Sequence, residues 1–163
     1  MQYVSVEHQR AIGPRYKIAS MVFFIFCVSV ILFAVAGRFA RPEATPGSER
    51  LMKTFPVIVI ILAFSVIVLR RLWMSILVMG MAARTGVNAV LSRLLQMTIV
   101  CAALSEMVAI LGFVFYMLTG DSQYQYFLIL CLVSLMLLFY TAFPRRGEWE
   151  RAVAAAAANT QPK

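Results

Sequence analysis

The sequence predicts an all-α protein, a four-helix transmembrane bundle with both termini in the cytoplasm. Three observations carry that prediction. Hydrophobic residues make up 62% of the 163 residues and charged ones only 13%, whereas a soluble domain holds about 25% charged residues. The apolar residues fall into four runs, 18–37, 55–83, 94–118 and 124–143. A bilayer-spanning helix needs about 20 such residues to cover a hydrocarbon core roughly 30 Å thick. The basic residues, which bring the net charge to +8, lie mostly at the ends of those runs. There they orient helices and meet anionic headgroups.

The first run, Ile18 to Gly37, follows a basic leader (residues 1–17) with Arg10, Arg15 and Lys17. Ala34-Val35-Ala36 resembles a signal-peptide cleavage site, but the apolar run is longer than the roughly 7–15 residues of a signal peptide, so a retained helix is expected. A polar loop, 38–53, comes next. Thr54-Phe55-Pro56 reads as a helix start, with Thr54 as N-cap and Pro56 in the first turn, where its missing N–H costs nothing. The second run is apolar to Ala83 except for Arg70-Arg71. Thr85 to Asn88 supplies turn residues, the third helix is Leu94 to Leu118, and Thr119-Gly120-Asp121-Ser122 makes a tight turn. The fourth helix, 124–143, stops at Pro144-Arg145-Arg146. The tail, 144–163, contains an alanine run with high helix propensity. It is expected to be a short exposed cytoplasmic helix, disordered after Asn159.

With the N-terminus inside, the inner segments hold nine basic residues (Arg10, Arg15, Lys17, Arg84, Arg93, Arg145, Arg146, Arg151, Lys163). The outer ones hold four (Arg38, Arg41, Arg50, Lys53), and that asymmetry places both termini in the cytoplasm. A bacterial inner membrane is the expected location. Tyr124, Tyr126, Tyr140 and Trp149 suit interfacial belts.

Composition also excludes functions. His8 is the only histidine, and the three cysteines, Cys27, Cys101 and Cys131, all lie in apolar runs. No disulfide framework, metal centre or haem site follows from these, and no cofactor is expected. No basic patch interleaves with aromatics, so nucleic acid is not an expected partner. Ser105 and Cys101 sit near Glu106, but no base and orienting group accompany them in the membrane, so no enzyme is expected.

The candidate site is built on Glu106. It has twelve uncharged residues on either side within the 25-residue third run. A charge at the bilayer centre costs at least about 2.5–3.5 kcal/mol and is a functional hypothesis by default. Two readings of Arg70 and Arg71 stay open. If the second and third helices form a hairpin turning near Asn88, residues whose numbers sum to about 176 share a depth, and an arginine faces Glu106. If the second helix crosses only from Phe55 to Leu69, both arginines lie at the inner interface and Leu72 to Ala83 runs along the surface. Ala102, Ala109 and Gly112 share a helix face with Glu106 by their i, i+3/i+4 spacing, and a small-residue face admits a close neighbour.

The segment Ala103-Leu104-Ser105-Glu106-Met107-Val108-Ala109-Ile110-Leu111-Gly112-Phe113-Val114 resembles the ion-binding helix of the subunit c family of rotary ATP synthases, with its pattern A-L-x-E-x-x-A-I-x-G-x-V. Met79-Gly80-Met81-Ala82-Ala83-Arg84 is similar to the end of that family's first helix and its basic loop. The resemblance implies that Glu106 is a proton or cation carrier. It is confined to 79–114; the family's glycine-rich first helix is matched here by Gly80 alone, and its essential arginine comes from a separate subunit.

Two functions follow from the sequence. The first is a structural or accessory subunit, whose partners are the bilayer and either other membrane subunits or further copies of itself; ten methionines and twelve phenylalanines suit an adaptable packing surface. The second is ion translocation through Glu106.

Overall fold

A computed structural model describes residues 6–40, 42–43, 45, 49–78 and 86–160. Every regular element among them is helical: α1 (Val6–Ala40), α2 (Glu49–Leu72, continuing as a π-helical turn over Trp73–Val78), α3 (Val87–Thr119), α4 (Tyr124–Leu137, continuing as a π-helical turn over Leu138–Ala142) and α5 (Arg146–Thr160). Four stretches are long and apolar enough to cross a membrane, beginning at Ala11, Lys53, Val87 and Asp121. The expected all-α, four-helix transmembrane bundle is the fold.

The helices begin earlier than the apolar runs that announce them. Helix α1 extends back to Val6, so the basic leader is mostly an extension of the first helix. Helix α2 begins at Glu49, inside the expected polar loop, which leaves Thr54 and Pro56 within the helix instead of at its start. Helix α3 begins at Val87, so Asn88 and Arg93 belong to the helix. A hydropathy pattern marks where a helix meets lipid, and polar residues with adequate helix propensity carry it further into water. The expected course of α2 from Met79 to Ala83, and the basic loop around Arg84, lie outside the described residues.

Helix α3 is the centre of the bundle and touches α1, α2, α4 and α5. Its core-facing side chains form one cluster with Phe23, Val30 and Phe127 and a second with Phe55, Val59, Leu130 and Leu137. The outer faces are as apolar as the inner ones. Phe23 is 1% exposed and its neighbour Phe24 62%; in α2, Val66 is 0% exposed and Phe64 67%. A belt of bare Phe, Ile and Leu of this size is suited to lipid and not to water. Because lipid tails solvate apolar side chains as well as a neighbouring helix does, close packing and polar ties hold the helices together.

Those ties concentrate at the two ends. At one end the turn after α3 uses Gly120 at φ 92°, a conformation that glycine adopts without penalty. The Tyr116 hydroxyl lies 3.1 Å from the Gly37 carbonyl and 3.0 Å from Asp121 Oδ1. Asp121 N–H donates to Pro42 O at 3.1 Å, and Thr45 N–H to Leu118 O at 3.0 Å. Asp121, which reads from sequence as an ordinary solvated turn residue, thus joins the knot that holds the first loop. A Cβ at Gly37 would overlap Phe127 at its Cε1 edge, so the end of α1 packs its backbone against that ring.

At the other end α4 stops where Phe143 becomes extended (ψ 118°) and Pro144 follows. The tail then departs from expectation. Helix α5 forms, but it docks under the bundle: Trp149 is 2% exposed, and Val153 and Ala156 are fully buried against α1 and α3. Trp149 meets Tyr16 edge-on at 5.9 Å. The spacing of Trp149, Val153 and Ala156 is the i, i+4, i+7 stripe of an amphipathic helix, and it carried this signal. Residues 161–163 lie outside the described residues.

Candidate functional site

The end of α4 explains where Arg70 goes. A helix leaves its last carbonyls without intrahelical donors. The donor four residues beyond Tyr140 is Pro144, which has no N–H. Arg70 Nη1 donates to that Tyr140 carbonyl, while its Nη2 makes an ion pair with Glu148 Oε2 at 3.0 Å. Tyr16 Oη donates to the carbonyl of Pro144 at 3.0 Å. The corner between α4 and α5 is therefore held from α1 and α2 together. Glu148 also faces Arg145 Nη1 at 3.5 Å and sits in the first turn of α5, where a negative charge favours the helix dipole.

Arg70 thus pairs with Glu148 and not with Glu106. The physical reason is register. Phe55 of α2 stacks on Phe115 of α3, with centroids 4.3 Å apart, so residues whose numbers sum to about 170, not 176, share a depth. A difference of six residues at about 1.5 Å each places Glu106 roughly 9 Å from the level of Arg70. Both arginines accordingly lie toward the α4–α5 corner: Arg70 is buried and Arg71 exposed. The helix continues past them, and Trp73 and Met74 pack on the core, in place of a surface segment beginning at Leu72.

Ala102, Ala109 and Gly112 are buried, and Glu106 is half-buried beside them. Ala102 and Ala109 are fully buried. At Gly112 a Cβ would stand 3.0 Å from Leu130 Cβ and Cδ1, so α4 approaches α3 at that point. Replacing Gly112 with leucine should therefore lower stability by about 1–3 kcal/mol through overpacking. Gly13→Leu, where a Cβ meets nothing within 4 Å, should not. Chemical unfolding of the detergent-solubilised variants, followed by circular dichroism, measures the difference.

Glu106 itself is half-buried. It lies beside an outward stripe of Ile99, Ala103, Met107 and Val114, all exposed. It makes no hydrogen bond or ion pair among the described residues. The polar residues nearby are occupied with one another. Ser105 Oγ bonds to Cys101 O at 2.8 Å and meets Thr141 Oγ1 at 3.2 Å, and Ser134 Oγ donates to Ser105 O at 2.7 Å. This Ser105–Ser134–Thr141 tie and the Arg70–Glu148 pair are among the polar contacts that the sequence did not announce. Pro144 after an apolar helix was the available signal for the second; the serines and threonine carried none, since such residues most often bond back to their own helix. No group of three or more His, Cys, Asp or Glu residues able to hold a metal occurs among the described residues.

Fold and site together define a small helical membrane protein whose central helix carries on its flank a carboxylate, Glu106, without a partner among the described residues. No family model, no curated protein and no solved structure matches the chain.

Proposed function

We propose that the protein is a structural or accessory subunit of a membrane assembly, with both termini in the cytoplasm of a bacterial inner membrane. The observation that carries this reading is Glu106. A half-buried carboxylate at membrane depth, next to an exposed apolar stripe and without a partner among the described residues of its own chain, calls for a donor from elsewhere. A neighbouring subunit that packs on Ile99, Ala103 and Met107 brings such a donor into reach. The hydroxyls of Ser105, Ser134 and Thr141 support the same reading, because they are engaged in ties between helices. The topology rests on the same asymmetry of basic residues, with Arg15, Arg70, Arg145 and Arg151 gathered at the α4–α5 end.

One observation favours a second reading. The carboxylate that lacks an internal partner is also the one that resembles the ion carrier of the subunit c family, so Glu106 is equally placed to bind a proton or cation. One substitution separates the two. If the protein is an assembly subunit, Glu106→Gln reduces several-fold the material that co-purifies with it after gentle solubilisation, and the reconstituted protein conducts no protons with either residue. Proton uptake by wild-type proteoliposomes that Glu106→Gln abolishes would establish translocation in its place.

A further inference from the structure

The Arg70–Glu148 pair lines one wall of an open cavity of about 520 Å³ between α2 and the α4–α5 corner. Arg71, Arg145, Arg151 and Tyr140 also line it. Four guanidinium groups against one carboxylate leave the cavity with a formal charge of +3. Glu148 is shared between Arg70 and Arg145, the latter at 3.5 Å. Arg71 and Arg151 have no ion-pair partner among the described residues and are exposed. Guanidinium groups converging from two helices without matching carboxylates repel one another unless an anion lies between them. Their planar forks suit phosphate oxygens, which they bind bidentately.

The position adds to the chemistry. The cavity lies where the apolar belt ends, since Ile67 and Met74 also line it, while Leu72 and Phe143 beside it are exposed. Tyr140, 57% exposed, brings an amphipathic ring to the same level. A basic pocket between helices at the membrane surface is the arrangement that holds a phospholipid headgroup with its acyl chains along the adjoining helices. We infer that this cavity is a binding site for a phosphate-bearing anion, with Arg71 and Arg151 as its free cationic ligands and Arg70 held in place by Glu148 and the Tyr140 carbonyl. The shared chemistry is a phosphate group, either a lipid phosphodiester or free phosphate. The inference requires only that the bundle lies in a membrane and is independent of the role of Glu106.

The test uses the full chain in a neutral detergent. Native mass spectrometry with added phosphatidylglycerol, against phosphatidylcholine as the uncharged reference, reads selective binding. Calorimetric titration with inorganic phosphate reads the free anion. Wild type should retain phosphatidylglycerol at least tenfold more tightly than phosphatidylcholine if the source is lipid, or take up inorganic phosphate at millimolar concentration if it is not. The double variant Arg71→Gln/Arg151→Gln should lose roughly 10- to 30-fold in that affinity, at about fivefold per basic residue. It leaves the Arg70–Glu148 tie untouched. Lys17→Gln/Arg93→Gln removes the same charge from two exposed positions outside the cavity and should lose far less. A wild-type protein that distinguishes neither phosphatidylglycerol from phosphatidylcholine nor phosphate from chloride overturns the inference, whatever the variants do. Equal losses in the two double variants overturn it as well, because they would mean diffuse attraction without a site.

Discussion

Replacing Tyr116 with alanine should destabilise the bundle by about 3–5 kcal/mol, the cost of emptying a fully packed aromatic site. The side chain is completely buried. Its ring stacks on Phe127 at 5.4 Å and leans on Tyr124 at 5.7 Å. In lipid the transfer part of that cost shrinks, since the hydrocarbon around the bundle is as apolar as its core, but the lost van der Waals contacts remain. Tyr116→Phe isolates the hydroxyl. It keeps the ring and removes the bond that reaches Gly37 and Asp121, so a loss of about 1 kcal/mol is expected. Chemical unfolding in detergent measures both. Limited proteolysis adds a local readout: in Tyr116→Phe, cleavage should rise in the loop after Ala40, which the same knot holds, before the helices unfold. Equal stability of Tyr116→Ala and wild type would mean that this end of the bundle packs differently.

The second large effect belongs to the α4–α5 corner. Removing one partner of a buried ion pair leaves the other uncompensated and costs about 3–5 kcal/mol when both are deeply buried. Here the side chains are 11% and 27% exposed. Solvent screening reduces the expectation for Glu148→Ala to about 1–3 kcal/mol. Arg70→Met should cost at least as much, because it strands both the Glu148 carboxylate and the Tyr140 carbonyl. The two losses should not add. The double variant Arg70→Met/Glu148→Leu should recover part of the stability, since an apolar pair of similar volume often substitutes for a buried ion pair. Glu150→Ala is the reference. Its partner Arg146 is 68% exposed at 2.9 Å, and such surface pairs contribute about 0.2–1 kcal/mol. Trp149 fluorescence reports on the corner directly, because undocking α5 moves the indole from a buried site into solvent. If Glu148→Ala is no worse than Glu150→Ala, the Arg70–Glu148 contact does not hold the tail.

The sequence by itself determined the class of fold. Four long apolar runs separated by polar or glycine-containing turns leave little choice, because every backbone N–H and C=O in a bilayer must be satisfied within its own segment. It also singled out one carboxylate in the third helix, two arginines in the second, and three small residues, Ala102, Ala109 and Gly112, that the structure buries. Two things were decided only by tertiary structure. The first is register. Depth matching between two helices depends on their register, and the Phe55–Phe115 stack sets a register about six residues from the one that would pair Arg70 with Glu106. The second is the tail. Its alanine-rich composition shows that it is helical but not what covers it, and Glu148 looks like any surface carboxylate until the α4–α5 corner brings it to Arg70. Local sequence fixes which segments become helices because their hydrogen bonds are local. Which charges meet depends on how those helices slide and turn against one another, and that is settled by packing between residues far apart in the chain.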